Sequence, residues 1–85
     1  LQSKGKYDAA IESYSKAIAL APNCAEAHNN LGNAFENQGN LQAAVKSYTQ
    51  ALMYQPENEA TQNNLIRARQ QLGVTDSAKD RTDRP

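Results

Sequence analysis

The sequence predicts an all-α protein in which antiparallel helix pairs stack into a solenoid. The chain has 85 residues and resembles itself when it is shifted by 34 positions. Apolar residues within each period lie three and four positions apart, which is the spacing of one helix face. Glycines and prolines interrupt this spacing at regular intervals, where helices end. A period of this length, built from two short helices, is typical of repeat proteins whose units share one core.

The repeat is visible as identities along the chain. Gly5, Ala9, Ala10, Ser13, Tyr14, Ala17 and Pro22 recur as Gly39, Ala43, Ala44, Ser47, Tyr48, Ala51 and Pro56. Asn29, Asn30, Leu31, Ala34 and Gly39 recur in turn as Asn63, Asn64, Leu65, Ala68 and Gly73. The sequence therefore predicts about one and a half repeats followed by a C-terminal capping helix.

The first unit, residues 1–24, is predicted to be a partial repeat. We expect the end of one helix at residues 1–4 and a second helix at residues 7–20. Gly5 separates them because glycine can take the left-handed conformation that ends a helix, and Pro22 closes the second helix. Since the chain opens partway through a unit and on Leu1, we expect it to be a fragment of a longer protein.

The second unit, residues 25–58, is predicted to be a complete repeat with helices at residues 25–38 and 41–54. Asn23, followed by Glu26, has the pattern of an N-cap with its reciprocal partner. Gly39 and Pro56 end the two helices.

The core of this repeat is predicted from residue size. We expect Gly32 and Ala44, both small, to let the two helices approach closely. The larger side chains that fill the space beside them are Leu31, Phe35, Val45 and Tyr48.

The third unit, residues 59–73, is predicted to be a capping helix that ends at Leu72. Ile66 and Arg69 stand where the full repeat has Gly32 and Phe35, so a following helix could not pack closely there. Residues 74–85 are polar and charged and are predicted to be a flexible tail.

The opposite edge of the array is predicted to expose an apolar face of the helix at residues 7–20. Tyr7, Ala10 and Tyr14 lie on that face, and we expect it to support a homo-oligomer.

Composition excludes several classes of function. The charges of nine basic and nine acidic residues cancel, so the chain has no net positive charge that would attract nucleic acid or an anionic membrane. No apolar run is long enough for a membrane span. The single Cys24 cannot form an internal disulfide, which favours a reducing, cytoplasmic location. His28 is the only histidine and has no partners spaced for catalysis, so the sequence predicts no enzyme activity, no metal and no cofactor.

The complete repeat resembles the tetratricopeptide repeat. It reads AEAHNNLGNAFENQGNLQAAVKSYTQALMYQPEN, and its defining positions are Leu31, Gly32, Phe35, Ala44, Tyr48, Ala51 and Pro56. His28 departs from the motif's usual aromatic residue, and this repeat is most similar to the arrays of O-linked N-acetylglucosamine transferases and similar scaffolds.

The resemblance implies where a ligand would bind, because the first helix of each tetratricopeptide pair lines a concave groove. Residues on that side are Glu26, Asn29, Asn30, Asn33, Asn37, Asn63, Asn64, Arg67 and Gln71. Amide side chains can both donate to and accept from a peptide main chain, and asparagine is otherwise a poor helix former. Asn30 and Asn64, which share a repeat position, are similar to the asparagine ladder of the transferase arrays.

The predicted function is a protein-interaction module that binds an extended peptide or a partner helix. Asn29 stands where the clamp for chaperone tails has a lysine, which disfavours that kind of adaptor. Two alternatives stay open: a structural unit that self-associates, and the substrate-recruiting arm of a larger enzyme such as a glycosyltransferase.

Overall fold

The computed structural model describes the backbone of residues 2–73 and the side chains of residues 5–73. It contains four helices, each antiparallel to the one before it: α1 (Gln2–Leu20), α2 (Ala25–Gln38), α3 (Leu41–Tyr54) and α4 (Glu59–Leu72). The chain is all-α in this range, as predicted, and forms a solenoid of helical hairpins. No helix between residues 2 and 73 has the length and apolar character that a membrane span requires. The predicted tail at residues 74–85 lies outside the described range.

The turn between α2 and α3 follows from a single glycine. Gly39 has φ of 95°, in the left-handed region that favours glycine. Its N–H donates to the carbonyl of Glu36 at 3.0 Å, and the N–H of Asn40 donates to that of Phe35 at 2.8 Å. These two bonds are the Schellman pattern, which satisfies carbonyls that a helix end would leave unpaired.

The prediction that Gly5 ends a helix is wrong. Helix α1 runs from Gln2 to Leu20 through Gly5, and only Gly39 and Gly73 have positive φ among the described residues. An interior glycine costs a helix about 1 kcal/mol, which does not break it without a competing turn. At Gly39 the packing of α2 against α3 supplies that competition, whereas helix α1 continues without a turn on both sides of Gly5.

The predicted N-cap at Asn23 is also wrong. Cys24 takes the N-cap position of α2, and its side chain makes no capping hydrogen bond. The equivalent residue one repeat later, Asn58, does cap α4: its Oδ1 accepts from the N–H of Thr61 at 3.1 Å. Asn23 lies one residue too early because Pro22 starts the turn, as Pro56 does in the second unit.

The core lies between α2, α3 and α4. Ala44, Tyr48 and Ala68 are fully buried there, and Phe35 and Leu65 pack against them.

Gly32 on α2 makes room for an aromatic ring on α3. A Cβ on Gly32 would lie 2.6 Å from Cε1 and 2.7 Å from Cδ1 of Tyr48. The missing side chain therefore makes room for the Tyr48 ring, which has no exposed surface.

His28 is a packing residue, as its place in the repeat predicted. The residue is 8% exposed, its Nε2 donates to the carbonyl of Pro22 at 2.8 Å, and its ring stacks on Tyr54 with ring centroids 5.7 Å apart.

Candidate functional site

The polar residues predicted for the groove on α2 occupy two sides of that helix. On the side opposite α3 is a stripe at the helical spacing of four and three residues, Glu26, Asn30, Asn33 and Asn37. Glu26, Asn33 and Asn37 are exposed and Asn30 is half-buried. We call these four residues the α2 stripe.

Asn29 lies on another side of α2, against α4. Its Oδ1 accepts a hydrogen bond from Nδ2 of Asn64 at 3.1 Å. Both side chains are half-buried. The contact joins two helices that are not consecutive in the chain, so it fixes how the third unit lies on the second.

Arg67 extends this contact into a network. Its Nη2 donates to Oδ1 of Asn64 at 3.1 Å and to Oε1 of Glu36 at 2.8 Å, and its Nε donates to Oε2 of Glu36 at 2.7 Å. The Tyr48 hydroxyl also donates to Glu36 Oε1, at 2.8 Å. A guanidinium that meets both oxygens of a carboxylate makes a strong and directional pair.

The protonation of the network follows from these bonds. The hydrogen bonds from Arg67 lower the pKa of Glu36, and the Tyr48 hydroxyl acts in the same direction against the opposing effect of burial. Burial raises the pKa of Tyr48, and the hydrogen bond to Glu36 raises it further. At neutral pH the network therefore contains an ionised Glu36, a charged Arg67 and a neutral Tyr48.

Sequence reasoning missed Glu36 and Tyr48 as members of this network. Glu36 is one of the half-buried residues and stands seven residues after Asn29, which places both on the side of α2 that faces α4. This seven-residue spacing was the feature of the sequence that could have indicated Glu36 as a member of the network. Arg67 and Asn64 were predicted as groove residues, and their side chains are engaged within the chain.

Asn63 is separate from the rest of the predicted site. It is exposed and holds the repeat position of Asn29, which faces α4, the first helix of the next unit. Asn63 therefore lies on the side of α4 away from α2, whereas Gln71, also exposed, shares the side of Arg67.

A cleft separates α1 from the α2 stripe. Its volume is about 320 Å³, and its lining includes Tyr7, Ala10 and Tyr14 from α1 and Asn30, Asn33 and Asn37 from α2. At its edge Nε2 of Gln38 donates to Oδ1 of Asp8 at 2.6 Å, which ties the two helices together.

The helix arrangement and the residues around Gly32 agree with the comparisons with known families. Residues 1–39 match a family model described as TPR repeat, and residues 25–58 match one described as Tetratricopeptide repeat. Residues 1–58 belong to the tetratricopeptide-repeat family. Tetratricopeptide repeats generally mediate protein–protein interactions and are typically non-catalytic scaffolds.

A search of the curated proteins finds no match. The similarity of the tetratricopeptide repeat at residues 25–58 to the O-linked N-acetylglucosamine transferase arrays therefore stays a prediction.

Proposed function

We propose that this chain binds an extended peptide on the concave side of its tetratricopeptide repeats, along the α2 stripe and the neighbouring side of α4. The observation that carries the proposal is the pair of exposed amides at Asn33 and Asn37 on α2, together with the exposed Gln71 on α4. These side chains offer donors and acceptors that match a peptide main chain whatever its sequence.

The Glu36–Arg67 pair supports a neutral ligand rather than an anionic one. Arg67 is the only basic residue predicted for the groove, and its charge is already balanced by Glu36. A carboxylate on a ligand would compete with Glu36 for the same guanidinium. Glu26 adds a negative charge at the other end of the stripe, which favours a peptide with a basic residue there.

Asn64 and Asn29 have a supporting part in this proposal. Each amide is half-buried in the contact between α2 and α4, and the Asn64–Asn29 bond uses one of the two N–H donors of Asn64. The contact holds the second half of the groove in position, and the remaining donor can reach a peptide that lies across it.

A displayed library of unstructured 12-residue peptides tests the proposal. Peptides selected on the full chain are measured again on the double variant Asn33→Ala/Asn37→Ala. Each lost hydrogen bond is worth about 0.5–1.5 kcal/mol, so affinity should fall about tenfold. Circular dichroism should show unchanged helicity, because both residues are exposed.

The control is Gln42→Ala/Thr49→Ala, which removes two exposed polar side chains from α3. It should leave binding unchanged. If the selected peptides bound the Asn33→Ala/Asn37→Ala variant as tightly as the original chain, the proposal that peptides bind along the α2 stripe would be wrong.

Self-association is a second candidate function, and one observation favours it. Tyr7, Ala10 and Tyr14 are half-exposed on α1, although their repeat equivalents belong to the core side of α3. Sedimentation of the chain at low and high concentration would detect a dimer, and Tyr14→Ser should abolish it. A monomer throughout would eliminate this candidate.

A further inference from the structure

The hydrogen bonds between α2 and α4 have a fixed direction. The ionised Glu36 can only accept hydrogen bonds, whereas the guanidinium of Arg67 can only donate them. Nε and Nη2 of Arg67 donate to the two oxygens of Glu36, and Nη2 also donates to Oδ1 of Asn64. Because Arg67 has no acceptor, the oxygen of the Asn64 amide must face it. The orientation of this amide is therefore set by a residue that has only one way to bond.

The contact between Asn64 and Asn29 transmits this orientation to a second amide. An asparagine amide can be turned either way, because its oxygen accepts and its nitrogen donates. Since Oδ1 of Asn64 faces Arg67, its Nδ2 faces Asn29, whose Oδ1 accepts from it at 3.1 Å. Nδ2 of Asn29 is then turned away from Asn64. We call these two asparagines the amide junction.

The groups that remain for a ligand at the amide junction are N–H donors. Between residues 5 and 73, side-chain hydrogen bonds use one N–H of Asn64 and none of Asn29. They use the N–H of Nε and both N–H groups of Nη2 in Arg67, so those of Nη1 remain. Both asparagines are half-buried and Arg67 is exposed, so a ligand can reach these donors. The amide oxygens, by contrast, face donors of the chain itself.

A peptide main chain fits such a site only in part. Each residue has one C=O acceptor and one N–H donor, except proline, which has no N–H. In an extended segment, the C=O and the N–H of one residue point to the same side. A residue that lies on the amide junction can therefore bond through its C=O, but its N–H meets further donors and loses its water. An N–H buried without an acceptor weakens binding, and proline avoids that loss.

We infer that the amide junction binds a peptide carbonyl and rejects a peptide N–H, so that the bound peptide has proline at the residue that lies on Asn64. Arg67 is a positioning residue for this selectivity, because it sets the direction of both amides. The inference rests on the proposed peptide-binding function and deepens it by naming a class of partner, an extended segment with an internal proline.

The preference for proline should be confined to one position of the peptide. The amides of Asn33 and Asn37 on the α2 stripe are exposed, and no hydrogen bond within the described side chains fixes them. They can turn either their oxygen or their nitrogen toward a ligand, so they accommodate a main-chain N–H as well as a C=O. Elsewhere along the groove, a residue with an N–H is therefore tolerated.

The displayed library of 12-residue peptides tests the inference when it is selected on the full chain and on Asn64→Asp. This substitution replaces the remaining N–H by an oxygen in a side chain of the same shape. Proline should be enriched at one position of the peptides selected on the original chain, and the enrichment should be absent for Asn64→Asp. The matched control is Asn63→Asp, which adds the same charge to an exposed residue on another side of α4 and should keep the enrichment.

Three synthetic forms of the tightest-binding selected peptide separate the missing N–H from the proline ring. They have proline, N-methylalanine or alanine at the enriched position. The first two lack the N–H and should bind the original chain about equally, whereas the alanine form should bind about tenfold more weakly. On Asn64→Asp, the alanine form should bind at least as tightly as the other two. Isothermal titration calorimetry measures these affinities.

Arg67→Gln tests the positioning role. The new amide can turn either its oxygen or its nitrogen toward Asn64, so the direction of the junction is no longer imposed. The ratio of the affinities for the proline and alanine forms should fall from about ten toward one. A residue that only held α4 against α2 would weaken both forms and leave this ratio unchanged.

The inference is overturned if no proline is enriched, if the enrichment persists in Asn64→Asp, if N-methylalanine binds as weakly as alanine, or if Arg67→Gln leaves the ratio unchanged. Persistence would mean that proline is selected because it stiffens the free peptide. Selected peptides that lack proline but lose affinity for Asn33→Ala/Asn37→Ala overturn this inference alone. A library without any binder overturns the proposed function as well.

Discussion

Arg67 and Glu36 form two parallel hydrogen bonds that tie α4 to α2. The Nε–Oε2 distance is 2.7 Å and the Nη2–Oε1 distance is 2.8 Å. The Glu36 side chain is 9% exposed and that of Arg67 is 47% exposed. Since α2 and α4 are not consecutive, this pair holds the third unit on the second in a way that chain connectivity does not.

A double-mutant cycle with Glu36→Gln and Arg67→Gln should measure this tie. We expect a coupling of about 1–2 kcal/mol in the free energy of unfolding, since the carboxylate is nearly buried while water screens half of the guanidinium. The measurement is urea unfolding followed by circular dichroism.

The comparison for that cycle is the ion pair of Glu12 and Lys16 on α1. Its Nζ–Oε2 distance is 3.8 Å, and both side chains are exposed. Its coupling should be less than about 0.5 kcal/mol. Equal couplings for the two pairs would mean that the Glu36–Arg67 geometry adds nothing to stability beyond what an exposed ion pair adds.

Acid should weaken the fold through Glu36. Its pKa is lowered in the folded state, so below the ordinary value of 4.5 the unfolded chain binds a proton that the folded chain does not. Stability from Glu36 is therefore present above pH 4.5 and is lost as the pH falls through the folded pKa. The stability difference between the original chain and Glu36→Gln should shrink between pH 7 and pH 3.

The Arg67→Gln background is the control for this titration. Hydrogen bonding from Arg67 is the largest cause of the lowered pKa, so without it the pH-dependent part of the difference should become smaller. A difference that stays constant over the whole range would exclude Glu36 as a source of acid sensitivity.

The helices that sequence reasoning placed correctly are those with a competing turn at each end. Helices α2, α3 and α4 have the predicted bounds, and Gly39 and Pro56 stand where the packing of these helices reverses the chain. Gly5 is also a glycine, but it lacks that packing, and helix α1 continues through it. A glycine permits a turn but does not impose one.

The network at Arg67 could not be predicted in the same way. The repeat relates Arg67 to Asn33 and Asn64 to Asn30, which describes residue positions but not which side chains reach each other. Asn29 and Asn64 are 35 residues apart and meet only because α2 and α4 lie side by side. Such a contact depends on the distance between helix faces, which the spacing of apolar residues does not give.

Gly32→Ala should destabilise the protein although alanine is the better helix former. The new Cβ would lie 2.6 Å from the Tyr48 ring, and the ring is fully buried. Overpacking of this kind costs about 1–3 kcal/mol, more than the roughly 1 kcal/mol gained in helix propensity. Urea unfolding measures the net change.

Gly5→Ala is the matched control for Gly32→Ala. Gly5 lies within α1 and an added Cβ meets nothing within 4 Å, so the substitution should stabilise the protein by about 0.5–1 kcal/mol. If both substitutions changed stability in the same direction, the contact of Gly32 with Tyr48 would not be the reason for the glycine.

Cys24→Asn should stabilise the protein by supplying a missing cap. Cys24 has φ of −80° and ψ of 99°, close to the −74° and 104° of Asn58, which caps α4. The backbone at residue 24 is therefore already shaped for an N-cap, and the new amide oxygen can accept from the N–H of Ala27. We expect a gain of about 1 kcal/mol in the free energy of unfolding and an equal loss for Asn58→Ala. A Cys24→Ala variant, which lacks any acceptor, should show no gain, and if it stabilised the protein as much as Cys24→Asn, the effect would come from removing the thiol rather than from capping.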